Sequence, residues 1–509
     1  MENKQQRGSV LQKAGLFVGP LIFFCLIFMD LEPGNPVVTR MAAVAALMAV
    51  FWITEAIPLF ATALLPLVLY PLLGIMKGKA VAPVYFNSTI FLFIGGFMIA
   101  LTMEKWNLHK RIALLIIRLI GGSPAMIVFG FMTASAFLSM WISNTATAVM
   151  MVPMGLAIIL KMEEEFGIKD TRKFAVSLML GIAYACSMGG VATIVGTPPN
   201  LSFVRIFEII FPLAEPVSFG QWMLMGIPLM LVMGFFIWIM LTKIFFRPPI
   251  HLKADRQIVN QEYESLGPVS FEERAVFTVF AATALLWIFR KKLEMGSITI
   301  PGWSDFLPWQ GFIDDGTVAM FMAMLLFFIP VKDKTSKEST LMGAEVIARL
   351  PWNIVILFGG GFALAKGFQA TGLSVLIGEK FQWLSETPTI IMIPSICGSL
   401  TFLTELTSNT ATTEMILPVL ASVACAMKVN PLILMIPATL SASCAFMMPV
   451  ATPPNAIIFG SGRVKIAEMA MVGFFINILG IIIITAIFYL LGTHIFSIDF
   501  SVFPKWANP

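Results

Sequence analysis

The sequence predicts an all-α polytopic membrane protein. Of its 509 residues, 58% are apolar and 12% are charged, and the mean hydropathy is +0.88, values that exclude a water-soluble domain of this length. The apolar runs are about as long as a bilayer-spanning helix, which needs roughly 20 residues, although some are too short or broken to cross alone. They lie near 14–29, 41–73, 88–102, 112–131, 148–160, 174–198, 223–246, 275–289, 317–330, 353–365, 388–403, 415–427, 431–450 and 468–496. Because backbone groups in lipid must be hydrogen-bonded internally, these runs predict a helical bundle.

A duplicated motif indicates two structural repeats. Ser143-Asn144-Thr145 recurs as Ser408-Asn409-Thr410, an offset of 265 positions (408 − 143 = 265), and both copies lie between long apolar stretches. Two further pairs keep the order: Gly95-Gly96 with Gly360-Gly361 at the same offset, and Thr197-Pro198-Pro199-Asn200 with Thr452-Pro453-Pro454-Asn455 at 255 (452 − 197 = 255). One tripeptide alone would be read as helix packing through polar side chains, but two copies in a matched frame favour a repeated site.

A polar segment divides the chain near its middle. Residues 246–274 carry Pro248-Pro249 and many charges, and they predict a connector with some interfacial helix. The division gives an N-terminal half, 1–245, with the first repeat, and a C-terminal half, 275–509, with the second. Two halves that each contain a broken apolar segment are typical of secondary transporters, whose substrate binds at the repeat interface. The sequence leaves open whether the repeats are inverted.

The charge pattern predicts the orientation in the membrane. Lys4, Arg7 and Lys13 precede the first apolar run, and no small-residue cleavage signature follows it, so we expect a retained first span and a cytoplasmic N-terminus. This describes an integral multi-pass protein of a plasma or bacterial inner membrane. The net charge of +4 is spread over loops and predicts no nucleic-acid partner. The five cysteines lie in apolar stretches and are expected to be small buried hydrophobic residues: Cys25, Cys186, Cys397, Cys425 and Cys444.

The duplicated motifs offer oxygen ligands but no ionisable group. Hydroxyl, amide and main-chain oxygens suit a hard cation such as sodium, while helices that restart after a break present N–H groups to an anion. If the substrate is a dianion, none of the motif residues can neutralise it. Two sodium ions, one for each repeat, would balance a dicarboxylate and make its binding depend on sodium.

Four ionisable residues within apolar stretches are functional candidates by position. They are Glu55, Lys366, Glu405 and Glu414. Glu405 and Glu414 flank the second Ser-Asn-Thr, but Met140 and Val149 occupy the matching positions of the first copy. Neither acid therefore belongs to a symmetric site, and we expect hydrogen bonds that hold the broken segment in preference to a direct ligand role. Glu55 is expected to cap or pack where two spans meet.

Four separated motifs resemble those of the divalent anion/sodium symporters, which include the INDY-type di- and tricarboxylate transporters. The segments are 140–147, 196–200, 408–410 and 449–455, together with 351–354 leading into 359–367. The resemblance implies a homodimer with a scaffold domain and a transport domain that moves by an elevator mechanism. It also implies inverted repeats, each with a re-entrant hairpin whose tip is the Ser-Asn-Thr.

The resemblance further implies the ligands. The first sodium site would involve Ser139, Ser143, Asn144 and Gly196, and the second Thr404, Thr407, Asn409 and Ala451. The substrate carboxylates would contact Asn144, Thr145, Thr197, Ser408, Asn409, Thr410, Thr452 and Pro453. The repeat frame pairs Ser139 with Thr404 independently (404 − 139 = 265). Threonine at position 197, where some relatives carry serine or glycine, leaves the preferred acid open.

The sequence thus predicts a sodium-coupled transporter that imports C4-dicarboxylates such as succinate, malate or fumarate. Within the same family, a sodium-independent dicarboxylate exchanger and a citrate or sulfate carrier remain alternatives. An anion channel is the alternative from another class, because channels also use polar broken helices. The chain carries no recognisable nucleophile–base or metalloprotease motif, so we expect no enzyme activity.

Overall fold

The computed structural model describes residues 10–120, 122–248, 257–295, 298–333, 338–381 and 387–507. The helices of the first half are α1 (Val10–Ile27), α2 (Pro36–Thr54), α3 (Leu59–Ala63), α4 (Leu65–Leu72), α5 (Gly78–Val81), α6 (Ser88–Lys105), α7 (Leu108–Ile120), α8 (Pro124–Ser139), α9 (Asn144–Phe166), α10 (Ile168–Val191), α11 (Pro198–Ile210) and α12 (Phe219–Ile239). Those that follow are α13 (Gln257–Ser265), α14 (Phe271–Ile288), α15 (Asp315–Phe328), α16 (Val346–Arg349), α17 (Trp352–Thr371), α18 (Leu373–Lys380), α19 (Thr389–Thr404), α20 (Asn409–Ala426), α21 (Leu432–Ala442), α22 (Pro453–Gly460), α23 (Ile466–Ile487) and α24 (Thr493–Ile495).

The described part of the chain confirms the helical membrane fold. Eight of its helical segments are long and apolar enough to cross a bilayer. The only strands among the described residues form one short antiparallel hairpin, β1 (Leu293–Met295) with β2 (Ile298–Ile300). Helix α1 is largely exposed, and its apolar side chains include Phe17 at 78% exposure, as suits a lipid-facing surface. Cys25 also lies exposed on this helix, against the expectation that every cysteine is buried.

Several predicted spans combine two elements. The apolar run 112–131 crosses the end of α7 and the start of α8, where Ser123 caps the new helix and Pro124 occupies its first turn. The runs 174–198 and 431–450 continue past the ends of α10 and α21 into non-helical backbone. Hydropathy alone did not locate these breaks, because their residues remain small or apolar.

The repeat appears as two matching series of helices. α8 to α11 in the first half follow the same order as α19 to α22 in the second, and α8 packs on α10 as α19 packs on α21. The second helix of each hairpin begins at the asparagine of Ser-Asn-Thr. The last helix of each series begins at the first proline of Thr-Pro-Pro-Asn, where the missing N–H of proline is of no consequence.

Helix α17 is attached to the N-terminal helices. One side of α17 packs with α2 and α4 in an apolar cluster that also includes Ala411 of α20, whereas Phe358 and Phe362 of α17 belong to the larger cluster that runs through most of the molecule. The Tyr70 hydroxyl donates to the Ala363 carbonyl at 3.0 Å, and Tyr85 donates to Ala63 at 2.6 Å. A Cβ atom on Gly360 would lie 2.5 Å from Ala63, so α17 and α3 pack closely because this position is glycine. These contacts define one packed body at this side of the molecule.

Ion pairs connect the two halves elsewhere. Arg463 pairs with Glu163 at the end of α9, and Arg172 of α10 pairs with Glu468 of α23 at 2.5 Å. The predicted connector 246–274 contains α13 and the first residues of α14, while its residues 249–256 lie outside the described ranges. Lys4 and Arg7, which carry the predicted orientation, also lie outside them.

Candidate functional site

The two hairpin tips meet at one cavity of about 660 Å³. Both Ser-Asn-Thr tripeptides and both Thr-Pro-Pro segments line it, together with the break after α2 and apolar side chains of α6 and α17. All of the residues predicted to contact substrate are present: Asn144, Thr145, Thr197, Ser408, Asn409, Thr410, Thr452 and Pro453. The repeat frame read from the sequence therefore corresponds to two sides of a single site.

Four helices begin at this cavity. The residues preceding α9, α11, α20 and α22 are Ser143, Thr197, Ser408 and Thr452, and each of them lines the cavity. A helix N-terminus carries unpaired N–H groups and about half a positive elementary charge. Four such termini around one cavity have the chemistry to bind an anion without a basic side chain.

The first hairpin positions an amide oxygen close to the backbone of Gly190. Ser139 donates from its hydroxyl to Asn144 Oδ1 at 2.6 Å. A Cβ atom on Gly190 would lie 2.6 Å from that oxygen and 3.0 Å from the carbonyl oxygen of Gly196. The narrow gap between these two oxygens, in which that Cβ would also lie 3.1 Å from Asn144 Nδ2, exists because position 190 has no side chain, and oxygen ligands suit a hard cation.

The second hairpin repeats the hydrogen bond to the asparagine, although Ala445 stands where the first repeat has Gly190 (445 − 190 = 255). Thr404 donates from its hydroxyl to Asn409 Oδ1, also at 2.6 Å, and lies 2.9 Å from the Ala442 carbonyl. The Thr407 hydroxyl lies 2.6 Å from the Thr412 hydroxyl, and Thr407 lines the cavity. Of the predicted sodium ligands, most line the cavity: Ser143, Asn144, Gly196, Thr407, Asn409 and Ala451. Ser139 and Thr404 are fully buried and do not line the cavity. Each donates a hydrogen bond to an asparagine that does, Asn144 or Asn409.

The asparagines of the Thr-Pro-Pro-Asn motifs have a role that sequence reasoning missed. Asn200 donates through Nδ2 to the carbonyls of Gly190 at 3.3 Å and Thr193 at 2.8 Å. Asn455 donates in the same way to Ala445 and Met448, each at 3.1 Å. The acceptors keep the repeat offset (445 − 190 = 255; 448 − 193 = 255). Each side chain therefore satisfies the non-helical backbone before α11 or α22, and the recurrence of asparagine was the available signal.

A second link joins the same positions in both repeats, with donor and acceptor at matched positions, but the partner that contributes its side chain differs. In the first repeat, Thr193 donates from its hydroxyl to the Met140 carbonyl at 2.6 Å. In the second, the residue matched to Met140 is Glu405, whose Oε2 accepts the N–H of Met448, the match of Thr193, at 3.1 Å. The carboxylate also accepts from the Phe446 N–H at 2.6 Å. These bonds are the kind predicted for Glu405, and they explain why only the second copy has an acid there.

The cavity lining contains no lysine, arginine or histidine among the described residues. Its ionisable groups are Glu55 and Glu405, and Glu405 is hydrogen-bonded to backbone N–H groups. Glu55 ends α2 in a left-handed conformation (φ 48°) with its side chain exposed. Lys366 does not line the cavity; its Nζ donates to Gln369 at 2.7 Å. An anion in this cavity would therefore meet helix N-termini, hydroxyls and amides, and no basic side chain of the described lining.

Known proteins resemble the chain over nearly its full length. The family described as sodium:sulfate symporter transmembrane region matches residues 15–498. A protein of Staphylococcus saprophyticus named sodium-dependent dicarboxylate transporter SdcS is 41% identical over 507 residues, covering 98% of this chain and 95% of that protein. Its namesake in Staphylococcus aureus is 42% identical over 508 residues, covering 98% and 94%.

Solved structures share the fold at low identity. The YdaH transporter of Alcanivorax borkumensis has a TM-score of 0.55 and 13% identity, covering 85% of this chain and 88% of that one. MtrF of Neisseria gonorrhoeae, described among antimetabolite efflux pumps, has a TM-score of 0.56 and 13% identity, covering 91% and 97%. These two likenesses concern the fold alone.

Replacing Asn455 with alanine should loosen the backbone between α21 and α22. The Ala445 and Met448 carbonyls would lose their donors, and each unsatisfied buried carbonyl costs roughly 1–3 kcal/mol. We expect amide hydrogens in segment 443–452 to exchange about tenfold faster, measured by hydrogen–deuterium exchange and mass spectrometry. Asn87→Ala, which removes the cap of α6, is the matched control and should leave this segment unchanged. Equal protection in Asn455→Ala and the parent protein would contradict the assigned role.

Proposed function

Because the chain belongs to the sodium:sulfate symporter family, also described as the divalent anion/sodium symporters, we propose that it is a sodium-coupled secondary transporter of dicarboxylates. The observation that carries this proposal is the single cavity at which four helix N-termini from both repeats meet without a basic side chain among its described lining. The names of its relatives, sodium-dependent dicarboxylate transporters, support the ions and the substrate class.

The proposed substrates are C4-dicarboxylates such as succinate, malate and fumarate, which the protein imports. A C4 chain carries a carboxylate at each end, and the cavity presents one set of N–H groups and hydroxyls from each repeat. We assign Asn144, Thr145 and Thr197 to one carboxylate. Ser408, Asn409, Thr410, Thr452 and Pro453 would contact the other. Sulfate has no second carboxylate to contact the residues of the opposite repeat. Citrate would need a further partner for its third carboxylate.

Two sodium ions would supply the positive charge. The first would bind among oxygens of Ser139, Ser143, Asn144 and Gly196, and the second among those of Thr404, Thr407, Asn409 and Ala451. The gap beside Gly190 supports the first site, since its two nearest oxygens come from Asn144 and Gly196. Two monovalent cations balance one dianion, so substrate binding would require sodium, and this dependence would couple the two fluxes.

We further propose inverted repeats, a cytoplasmic N-terminus and an elevator movement within a homodimer. The packing supports two bodies: α17 is fixed to α2, α3 and α4, while ion pairs link α9 and α10 to the α22–α23 region. The hairpins with α10, α11, α22 and α23 would move, carrying the site with them. In this scheme the halves 1–245 and 275–509 each contain one repeat and contribute helices to both bodies. Residues 246–274 join the two halves.

A sodium-independent dicarboxylate exchanger is the second candidate. The observation that favours it is the number of helix N-termini at the cavity, since four termini at about half a charge each could hold a dianion without sodium. An exchanger would keep the substrate contacts proposed above and lack coupling. The two candidates therefore differ in whether sodium is required.

The experiment that separates them is uptake of labelled succinate by purified protein in liposomes. An inward sodium gradient is compared with matched potassium, each with and without succinate inside. We expect uptake that requires sodium and no internal substrate. Uptake that needs internal dicarboxylate and ignores sodium would identify the exchanger. Currents without sodium coupling, at rates far above those of a carrier, would instead indicate a channel.

Gly190→Ala should weaken sodium binding at the first site. The added Cβ would enter the gap between Asn144 Oδ1 and the Gly196 carbonyl, so we expect the sodium concentration for half-maximal uptake to rise about tenfold, equivalent to about 1.4 kcal/mol. Gly234→Ala on α12 is the matched control, because a Cβ there meets nothing within 4 Å. An unchanged sodium dependence in folded Gly190→Ala would reject this site.

A further inference from the structure

A carboxyl group lies fully buried outside the cavity. Glu414 on α20 has no exposed surface, and its Oε1 accepts a hydrogen bond from the hydroxyl of Ser202 on α11. Its Oε2 has no hydrogen-bond partner among the described residues. On the third side lies Gly361 of α17, where any Cβ would clash with the carboxyl group. Glu414 thus occupies a seam between helices of both repeats.

The charged side chains on the helices packed against α20 contact partners other than Glu414. These helices are α2, α11, α17, α18, α19 and α21. Arg40 Nη1 donates to the Leu73 carbonyl at 2.9 Å, and Arg205 Nη1 donates to Glu208 at 3.1 Å. Lys366 Nζ donates to Gln369 at 2.7 Å. Glu55 and Glu405, which cap α2 and α19, line the cavity. No described basic group is thus placed to neutralise Glu414.

The remaining charges lie farther along α20. Glu379 and Lys380 end α18, and the neighbouring Gly378 packs against Ser422 and Ala426. Ser422 is eight residues beyond Glu414 (422 − 414 = 8), a distance of about 12 Å at 1.5 Å per residue. Helix α21 contains no charged residue. An ionised Glu414 would therefore be a buried charge without a counter-ion among these side chains, which is a very costly arrangement.

We propose that Glu414 is a proton-binding site, with its carboxyl group held protonated in the seam between α11, α17 and α20. The neutral acid accepts the hydrogen bond from Ser202 and leaves its own O–H group without a partner. One unpaired O–H group costs less than a buried carboxylate without a counter-ion. The positions matched to Glu414, Ser202 and Gly361 hold Val149, Ile457 and Gly96 (414 − 149 = 265; 457 − 202 = 255; 361 − 96 = 265), and Val149 is 56% exposed, so the buried carboxyl group has no counterpart at the matched position.

The bound proton has a consequence for movement, which rests on the proposed two-body mechanism. Helix α17 belongs to the body fixed to α2, α3 and α4, whereas α20 belongs to the hairpin body that carries the cavity. A protonated Glu414 lets α20 pack against Gly361 without burying charge, so the seam is stable while the proton is bound. As the pH rises and the proton leaves, states in which Glu414 has separated from Gly361 become favoured.

Infrared spectroscopy of the purified full-length protein tests the protonation directly. At neutral pH we expect a C=O stretch of a protonated carboxylic acid that is lost in Glu414→Gln. Ser202→Ala should shift this band to higher frequency, because it removes the hydrogen bond to the carbonyl oxygen. Glu164→Gln, at an exposed position of α9, is the matched control and should leave the band unchanged.

The outcome does not depend on transport, so failure of this inference is distinguishable from failure of the proposed function. A spectrum in which Glu414→Gln removes only carboxylate bands would overturn the inference, as would a carboxylate band of Glu414 that responds to sodium, which would identify sodium as its counter-ion. If Glu414→Gln does not fold, an unchanged protonated band in Ser202→Ala would overturn it equally.

Discussion

The fold depends on satisfying the polar backbone that is exposed where helices break inside the apolar interior. In lipid, an unpaired carbonyl or N–H group is costly, so every break needs its own hydrogen-bond partner. Asn200 and Asn455 donate to the carbonyls of the two breaks that precede α11 and α22. The links between Thr193 and Met140, and between Glu405 and Met448, hold the same breaks against the hairpin tips. The structure can therefore keep irregular backbone at the depth where the cavity lies.

The same breaks provide the chemistry of the site. Each one ends a helix and starts another, so it presents N–H groups at the new N-terminus and free oxygens at the turn. In the proposed function, hydroxyls, amides and main-chain groups would bind an anion and cations, and the cavity would need no fixed positive charge. The two repeats differ where acids are concerned: Glu405 and Glu414 occur only in the second, one as a hydrogen-bond acceptor for backbone N–H groups and one buried beside Ser202.

Much of this arrangement is predictable from the sequence because the chain states it twice. The offsets of 265 and 255 locate the hairpin tips and the starts of α11 and α22, and the duplicated Ser-Asn-Thr and Thr-Pro-Pro residues line one cavity. The cross-links were not predictable, since the donor in one repeat is Thr193 and its match, Met448, contributes only backbone. Helix ends within apolar runs were also missed, as at 112–131, because hydropathy does not register a break made by small residues.

In the proposed mechanism, bound cations supply the positive charge that neutralises the substrate. The most direct measurement is calorimetric binding of succinate to the purified protein in sodium and in matched potassium, followed by the sodium affinity with and without succinate. We predict that succinate binds in sodium and not in potassium. By linkage, succinate should raise the affinity for sodium by the same factor by which sodium raises the affinity for succinate. Succinate binding of the same strength in potassium would contradict it, and would mean that the helix N-termini alone neutralise the dianion.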